Sequence, residues 1–393
     1  MGIFNRILPF LIALAAVGVA LVFLLGPYGL MEPTRLQDKD ILSAALHLVT
    51  WRWRIMPICC AICIRALVAR PYSIGIWLLT LIAVATLPFN LLNPYELRNK
   101  PLPNPKFVPI AQSGLDPSER ILGITIRGES RAYPIRILAY HAILNDQVGG
   151  QPVAATYSLL SHSGRVWSRV LGGLVLNLRL IGNANQNVLF QDDKTGSWWQ
   201  QSIGRSAAGR QIGKKLAVVH CDEITLGQWA AEHPTSSVLV PQPEFAANYV
   251  SDLDAAARKI PSILESEEYS GLVARDLVFG VRIKDDPRAY RVPALLRARL
   301  LMERMGGGVI LLVVGPDNQS VRAWRLPKDA LPYTRIADSA DGTGPVMTDV
   351  DGALWNFQGC DQTGKCLEPV EVVKEYWFQW HTNNAETSVS RLR

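Results

Sequence analysis

The sequence predicts a strand-rich α+β fold, built twice in tandem, behind an N-terminal transmembrane helical region. Three observations predict it. Two uncharged apolar runs lie within the first hundred residues, short alternating segments follow residue 113, and several motifs return at one fixed spacing. A chain of 393 residues with 49% hydrophobic content exceeds an ordinary single domain. The formal charge is +6, but Lys and Arg are spread along the chain and several fall between the two apolar runs. The basicity therefore reads as membrane topology, and no nucleic-acid partner is expected.

Residues 1–99 form the expected membrane region, with helices at about 7–27 and 74–93, and the lipid bilayer is the partner it implies. Ile7 to Leu25 carries no charge and matches the ~30 Å hydrocarbon layer as a helix. It overshoots the apolar core of a signal peptide, and no small-residue cleavage site follows it directly, so it is read as retained. Ile74 to Leu92 is the second run, with Trp77 and Tyr95 placed for the interfaces. Between them Arg35, Lys39, Arg52, Arg54, Arg65 and Arg70 predict a basic cytoplasmic loop. That places the C-terminal part outside an inner or cytoplasmic membrane. Ile55 to Ala69 is apolar but interrupted by Arg65, and is expected as an interfacial or re-entrant helix.

Cys60 and Cys63 have CxxC spacing beside Cys59, yet no second pair or nearby histidine completes a metal pattern, so these three read as small apolar packing residues. Cys360 and Cys366 bracket a turn-rich loop that a disulfide closes if this part is exported, and Cys221 has no evident partner.

A proline-rich linker, 100–113, leads to the globular part. Ile121 to Ile126, Val153 to Tyr157, Arg165 to Val170 and Val175 to Leu180 alternate as strands, and Pro134 to Asp146 is the best helix. Arg131-Ala132-Tyr133 returns 157 positions on as Arg288-Ala289-Tyr290. The same offset pairs Gly123 with Gly280, Ile126 with Ile283, Leu138 with Leu295, Gly149-Gly150 with Gly306-Gly307, Trp167 with Trp324 and Trp198 with Trp355. Gln228-Trp229 answers Gln379-Trp380 after a small slip. These pairs predict repeats at 114–265 and 266–393, with the boundary near Ser262 to Glu267.

A duplication supplies its own control. Residues matched in both copies read as scaffold, and polar residues present in one copy read as site candidates. The first copy has His141, Asn145 and Asp146 where the second has Ala298, Met302 and Glu303. His141 and Asn145 would share a face if the helix runs to Asp146. Ser158, Ser161 and His162 follow, against Val314 and loop residues in the second copy. These six are the ligand-binding candidates. Serine, histidine and aspartate together contain the residue types of a nucleophilic triad, but no GxSxG turn surrounds them. No phosphate loop or zinc-protease helix appears, and no cofactor is expected. The eleven tryptophans read as packing before sugar stacking.

Leu122-Gly123-Ile124, Arg131 to Pro134, His141 to Asp146, Asp192 to Gln201, Gly204 to Gly213 and Tyr376 to Trp380 together resemble the bacterial and archaeal family called domain of unknown function 3179, from about Gly114 onward. Two departures stand out. Where that family typically has Tyr-Cys-Pro-Leu-Cys this chain has Tyr157 to Ser161, and where it has His-Glu this chain has His141-Ala142. Two thiolates with a histidine and a carboxylate suit a soft metal or a redox cycle, and serine suits neither. The resemblance implies a member that lacks the cysteine pair. Two functions follow as expectations: an envelope-facing, non-catalytic binding or scaffold module, and a metal-dependent or redox enzyme with its site in the first repeat.

Overall fold

A computed structural model describes residues 2–31, 37–260, 268–269, 271–339 and 342–392. The chain begins with α1 (Gly2–Leu30), α2 (Lys39–Ala69) and α3 (Ile74–Phe89). Ile7–Leu30, 24 residues, is long and apolar enough to cross a membrane. The 16 residues of α3 fall short of the ~20 that a perpendicular span requires.

The stretch expected as a basic loop is instead the 31-residue α2. Its start is set by Asp38, whose carboxylate accepts hydrogen bonds from the backbone N–H groups of Asp40 and Ile41. Ile55 to Ala69, expected as a separate interfacial helix, is the second half of α2. Met56, Cys59 and Cys63 on this half pack against Ala13, Val17 and Ala20 of α1, small side chains that let the helix axes approach. Cys60 Sγ lies 3.2 Å from the Ala83 carbonyl of α3 and Cys63 Sγ lies 3.6 Å from that of Ala13. The cysteines are thus packing residues in an antiparallel three-helix bundle.

One end of this bundle is docked on the globular part. Met31, Leu42 and Ala45 share a core with Leu189 and Trp198. Gln37 and Asn185 exchange hydrogen bonds, with Gln37 N donating to Asn185 Oδ1 at 2.8 Å and Asn185 N donating to Gln37 Oε1 at 2.6 Å. The expected cluster of positive charge is therefore divided. Lys39, Arg52 and Arg54 lie in the half of α2 toward the docked end, Arg65 and Arg70 lie toward the other, and Arg35 falls outside the described residues.

The globular part opens with β1 (Phe107–Pro109), β2 (Arg120–Ile126), β3 (Glu129–Pro134), α4 (Ile135–His141), β4 (Ile143–Val148), β5 (Gln151–Ser158) and β6 (Ser163–Ser168). It continues with β7 (Leu178–Ala184), β8 (Asn187–Asp192), β9 (Trp198–Gln200), β10 (Ser206–Ala208), β11 (Val218–Val219), β12 (Asp222–Thr225), α5 (Leu226–Glu232) and β13 (Ser237–Leu239). Later elements are β14 (Leu277–Ile283), β15 (Asp286–Arg291), α6 (Val292–Ala298), β16 (Leu300–Met305), β17 (Gly308–Val314) and β18 (Val321–Leu326). The last are β19 (Thr334–Arg335), β20 (Pro345–Thr348), β21 (Leu354–Asn356), β22 (Glu368–Val370), β23 (Val372–Tyr376), α7 (Trp377–Asn383) and β24 (Ser388–Val389).

The first sheet runs β1-β13-β3-β2-β12, and a later one runs β24-β15-β14-β23. In both, the inner hairpin is antiparallel, with Gly123 opposite Ala132 and Gly280 opposite Ala289. In both, the last strand joins in parallel, β13 on β3 and β24 on β15. The two central glycines are needed for a close approach. A Cβ on Gly123 would sit 2.4 Å from the Trp229 indole, and one on Gly280 would sit 2.1 Å from that of Trp380. Further sheets run β11-β6-β5-β4 and β22-β18-β17-β16.

The expected helix Pro134 to Asp146 is shorter. It ends at His141, because Ala142 takes a left-handed φ of 63° and turns the chain into β4. Arg299 takes a φ of 65° after α6. The strand expected at Val175 to Leu180 starts at Leu178 and reaches Ala184.

The strands up to β13 and those from β14 on, taken as the two halves of the globular part, meet through reciprocal ion pairs. Arg165 of β6 reaches Glu375 of β23 at 3.5 Å, while Arg322 of β18 reaches Asp222 of β12 and Glu232 of α5, each at 2.8 Å.

Candidate functional site

The six candidates do not fold into one site. Asn145 and Asp146 sit on β4, so the helical face shared by His141 and Asn145 does not form. Asn145 is a strand bridge, with Nδ2 donating to the Leu178 carbonyl at 2.7 Å and Oδ1 accepting from Leu178 N at 3.1 Å. Asp146 accepts from the Tyr133 hydroxyl at 2.8 Å and lies 3.5 Å from Arg131. Glu303, 157 positions on from Asp146, lies 3.3 Å from Arg288, 157 positions on from Arg131, which is what a scaffold role predicts.

His141 is buried with both ring nitrogens engaged. Nδ1 lies 2.5 Å from the Lys100 carbonyl, and Nε2 lies 2.9 Å from the Tyr249 hydroxyl. A carbonyl can only accept, so Nδ1 carries the proton and Nε2 accepts from the tyrosine. Burial lowers the basicity of this ring, the Lys100 hydrogen bond offsetting part of the effect. His141 thereby ties the start of the linker to α4. With Asn145 it also lines a cavity of about 360 Å³ against Pro101 and Leu102.

The serines point inward. Ser161 Oγ lies 2.9 Å from Ser163 Oγ and accepts from Asn187 Nδ2 at 2.9 Å, and Ser163 donates to Gln201 Oε1 at 3.1 Å. Gln201 closes the network by donating to Thr156 Oγ1 and to the Ser163 carbonyl. Ser158 is fully buried and its hydroxyl has no hydrogen-bond partner among the described residues. Among the described residues, none of these serines is bonded to a histidine. At the spacing of 157, Gly315 stands opposite Ser158 and Val314 opposite Tyr157: Tyr157 N donates to the Ala142 carbonyl and Val314 N donates to that of Arg299.

His162 is the candidate that faces a larger space. It adopts a left-handed φ of 55° at the turn between β5 and β6, and its Nδ1 lies 2.8 Å from the Tyr157 hydroxyl. It lines a cavity of about 720 Å³ with Arg120, Arg136, Tyr249, Asp252 and Asp254. Burial, reinforced by the charges of Arg120 and Lys374, holds its pKa down at about 3, so the ring is neutral across the physiological range. Arg120 in turn is ion-paired to Glu223, and Arg136 is paired to Glu119 at 2.6 Å.

Sequence reasoning missed the acidic and basic groups of β12, β18 and β23. Lys374 and Glu375 are adjacent in sequence but differ in setting. Glu375 is 1% exposed, with Oε1 unpartnered, and burial raises its carboxyl to about 7 against the opposing pull of Arg165. The only sequence signal was the mixed alternation of Val372 to Tyr376, which marks a strand but not what faces it. Among the described residues, no group of three or more His, Cys, Asp or Glu side chains is placed to hold a metal ion.

Cys360 and Cys366 are disulfide-bonded, as the turn-rich loop between them allows. Cys221 is buried and free.

Comparison with known proteins gives one match. The family model described as Protein of unknown function (DUF3179) matches residues 101–387. No curated protein and no solved structure matches the chain. The matched span is most of the sequence and takes in the inner hairpins of both sheets and the ion pairs of Arg165 and Arg322, and the chain belongs to the DUF3179 family.

Proposed function

We propose that this chain is a membrane-anchored, envelope-facing, non-catalytic binding or scaffold module whose extramembrane part is one domain built twice, at residues 114–265 and 266–393. The duplication is supported by the matching strand order and direction of the two hairpin sheets and by the glycine–indole contacts Gly123–Trp229 and Gly280–Trp380. Arg165 and Arg322, 157 positions apart, also make equivalent reciprocal contacts. The boundary at Ser262 to Glu267 lies outside the described residues. Anchoring is supported by the apolar length of Ile7–Leu30. An envelope-facing side is supported by the Cys360–Cys366 disulfide, a bond that persists in oxidising compartments. The charge-asymmetry argument no longer favours either side, since α2 carries basic residues toward both ends of the bundle.

The single observation that carries binding over catalysis is the separation of His162 from the serines. A ring with a pKa of about 3 is a poor general base at neutral pH, and the hydroxyls of Ser161 and Ser163 are spent on each other and on buried amides. The remaining property of the His162 cavity is polar recognition by a neutral imidazole among paired charges.

A second reading, a metal-dependent or redox site, is favoured by Ser158. Its unpartnered hydroxyl stands where the family pattern has a cysteine, and a thiol would tolerate that pocket better. The test is metal analysis and thiol-exchange assay of the purified full chain beside His162→Ala and His141→Ala, with folding checked by circular dichroism. Metal-free, exchange-inactive protein in all three agrees with binding or scaffolding. A stoichiometric metal lost in a folded variant sinks that reading in favour of the enzyme.

A further inference from the structure

Between the halves lies a further cavity of about 310 Å³, near the lower end of the ~300–1,000 Å³ range typical of small-molecule sites. Gly123 to Thr125 and Val219 to Glu223 contribute from the first half, and Phe279, Val321 to Trp324 and Lys374 from the second. It is distinct from the His162 cavity. The Arg120–Glu223 ion pair stands between them, Arg120 lining one and Glu223 the other.

The charges here are unevenly spent. Asp222 is held by Arg322 through two hydrogen bonds, of 3.1 and 2.8 Å, and Glu223 is held by Arg120. Arg322 is in turn committed to Asp222 and Glu232. Lys374 is the exception, a half-buried ammonium that makes no ion pair or hydrogen bond among the described residues. Its Nζ lies 5.8 Å from the centre of the Phe279 ring, and Val370 and Val372 continue the apolar wall. The lining carboxylates are neutralised by arginines, so an incoming anion meets one unspent positive charge beside apolar surface.

We infer that this cleft binds a small organic monocarboxylate, with Lys374 receiving the carboxylate and Phe279, Val370 and Val372 covering the apolar remainder. The groups facing Lys374 are Arg120 of β2, Asp222 and Glu223 of β12, Asp317 in the turn before β18 and Arg322 of β18, with His220 and His233 at the rim. Burial first, and then the neighbouring Arg120 charge, lower the amine to about 8. A bound carboxylate sets an opposite charge beside the amine and raises its pKa, so binding above about pH 8 takes up a proton, and affinity falls by up to about tenfold per pH unit once the free-state pKa is passed. The inference does not depend on the His162 cavity.

The experiment is calorimetric titration of the detergent-solubilised full chain with acetate, benzoate and phenylacetate, using benzylamine and benzyl alcohol as charge controls. At least one carboxylate is expected to bind at one per chain, more tightly than either control. Lys374→Met should weaken it at least tenfold, and Lys374→Arg should retain most of the affinity. In case Lys374→Met unfolds, the wild-type protein gives an independent reading: the binding carboxylate should protect Lys374 from an amine-reactive label, read by peptide mass. Equal binding of benzylamine or benzyl alcohol, undiminished binding by a folded Lys374→Met, or absence of binding and protection with all three carboxylates would falsify the assignment. Binding retained in His162→Ala separates this site from the one proposed above.

Discussion

Ser158 and Glu375 are the residues whose burial is least compensated. An unsatisfied buried hydroxyl costs roughly 1–3 kcal/mol, and Ser158 has no partner. Ser158→Ala is expected to raise stability by about 1 kcal/mol, read as a higher urea midpoint at unchanged slope. A loss of similar size would mean that the hydroxyl has a water partner. Glu375 makes a pH prediction. Its pKa in the folded protein is about 7, above the ordinary value of 4.5, so the folded state keeps this proton over an interval in which the unfolded chain releases it. The resulting stability is fully present below pH 4.5 and is lost as pH rises to about 7, by about 3 kcal/mol at most. Glu375→Gln should flatten that slope, and an unchanged pH profile would sink the assignment. His141, chosen from sequence as a site residue, is bonded at both nitrogens, so His141→Ala should cost about 2–3 kcal/mol in unfolding experiments. The sequence marked His141 and His162 as unusual, because Ala298 and Gln319 stand 157 positions on, at the spacing where other motifs return. It could not tell a ring that fastens the linker from one that lines a cavity, since the difference lies in contacts with Lys100, Tyr249 and Tyr157, residues 41, 108 and 5 positions away.

Elements were legible where periodicity was strong. Ile121 to Ile126 and Val153 to Tyr157 alternate and lie within β2 and β5. The end of α4 was not legible, because the residue that breaks the helix is alanine, a strong helix former held at positive φ by tertiary context. The basic loop misled for a similar reason. Arg52 in the middle of α2 looks like a loop residue, but its guanidinium donates to the Asn90 carbonyl at 3.1 Å and is sheltered there. The glycine–indole contacts allow a sharp element-level test. Gly123→Ala and Gly280→Ala should each destabilise by roughly 1–3 kcal/mol, because the new methyl cannot coexist with the indole where it stands. Combining Gly123→Ala with Trp229→Leu should cost less than the two single changes together, and strict additivity would argue against the contact.

For the whole molecule, the docking of the three-helix bundle on the first half means that the bundle and the globular part form one packed body there. Truncation at residue 99 would strip Met31, Leu42 and Ala45 from the core they share with Trp198. Such a fragment should be less stable or aggregate, and a fully stable, monodisperse fragment would show that the shared core is dispensable. Sidedness has its own measurement. If the globular part faces the envelope, a reporter that folds only outside the cytoplasm should be active when fused after Arg393, and the Cys360–Cys366 bond should survive isolation without added oxidant. An inactive fusion and a reduced pair would place the domain on the cytoplasmic side.

The sequence by itself determined the apolar N-terminal helix, the strand-rich character beyond residue 113 and the family, because each rests on local hydrophobicity, alternation or motif order. Tertiary structure alone decided that α2 is one continuous helix, that the serines face a buried network, and that Lys374 stands in a cleft unpaired among the described residues while Arg165 and Arg322 clasp the two halves. The physical reason is the same in each case. Local patterns fix how a segment folds, whereas charge compensation and burial depend on partners up to 210 positions distant, as for Arg165 and Glu375.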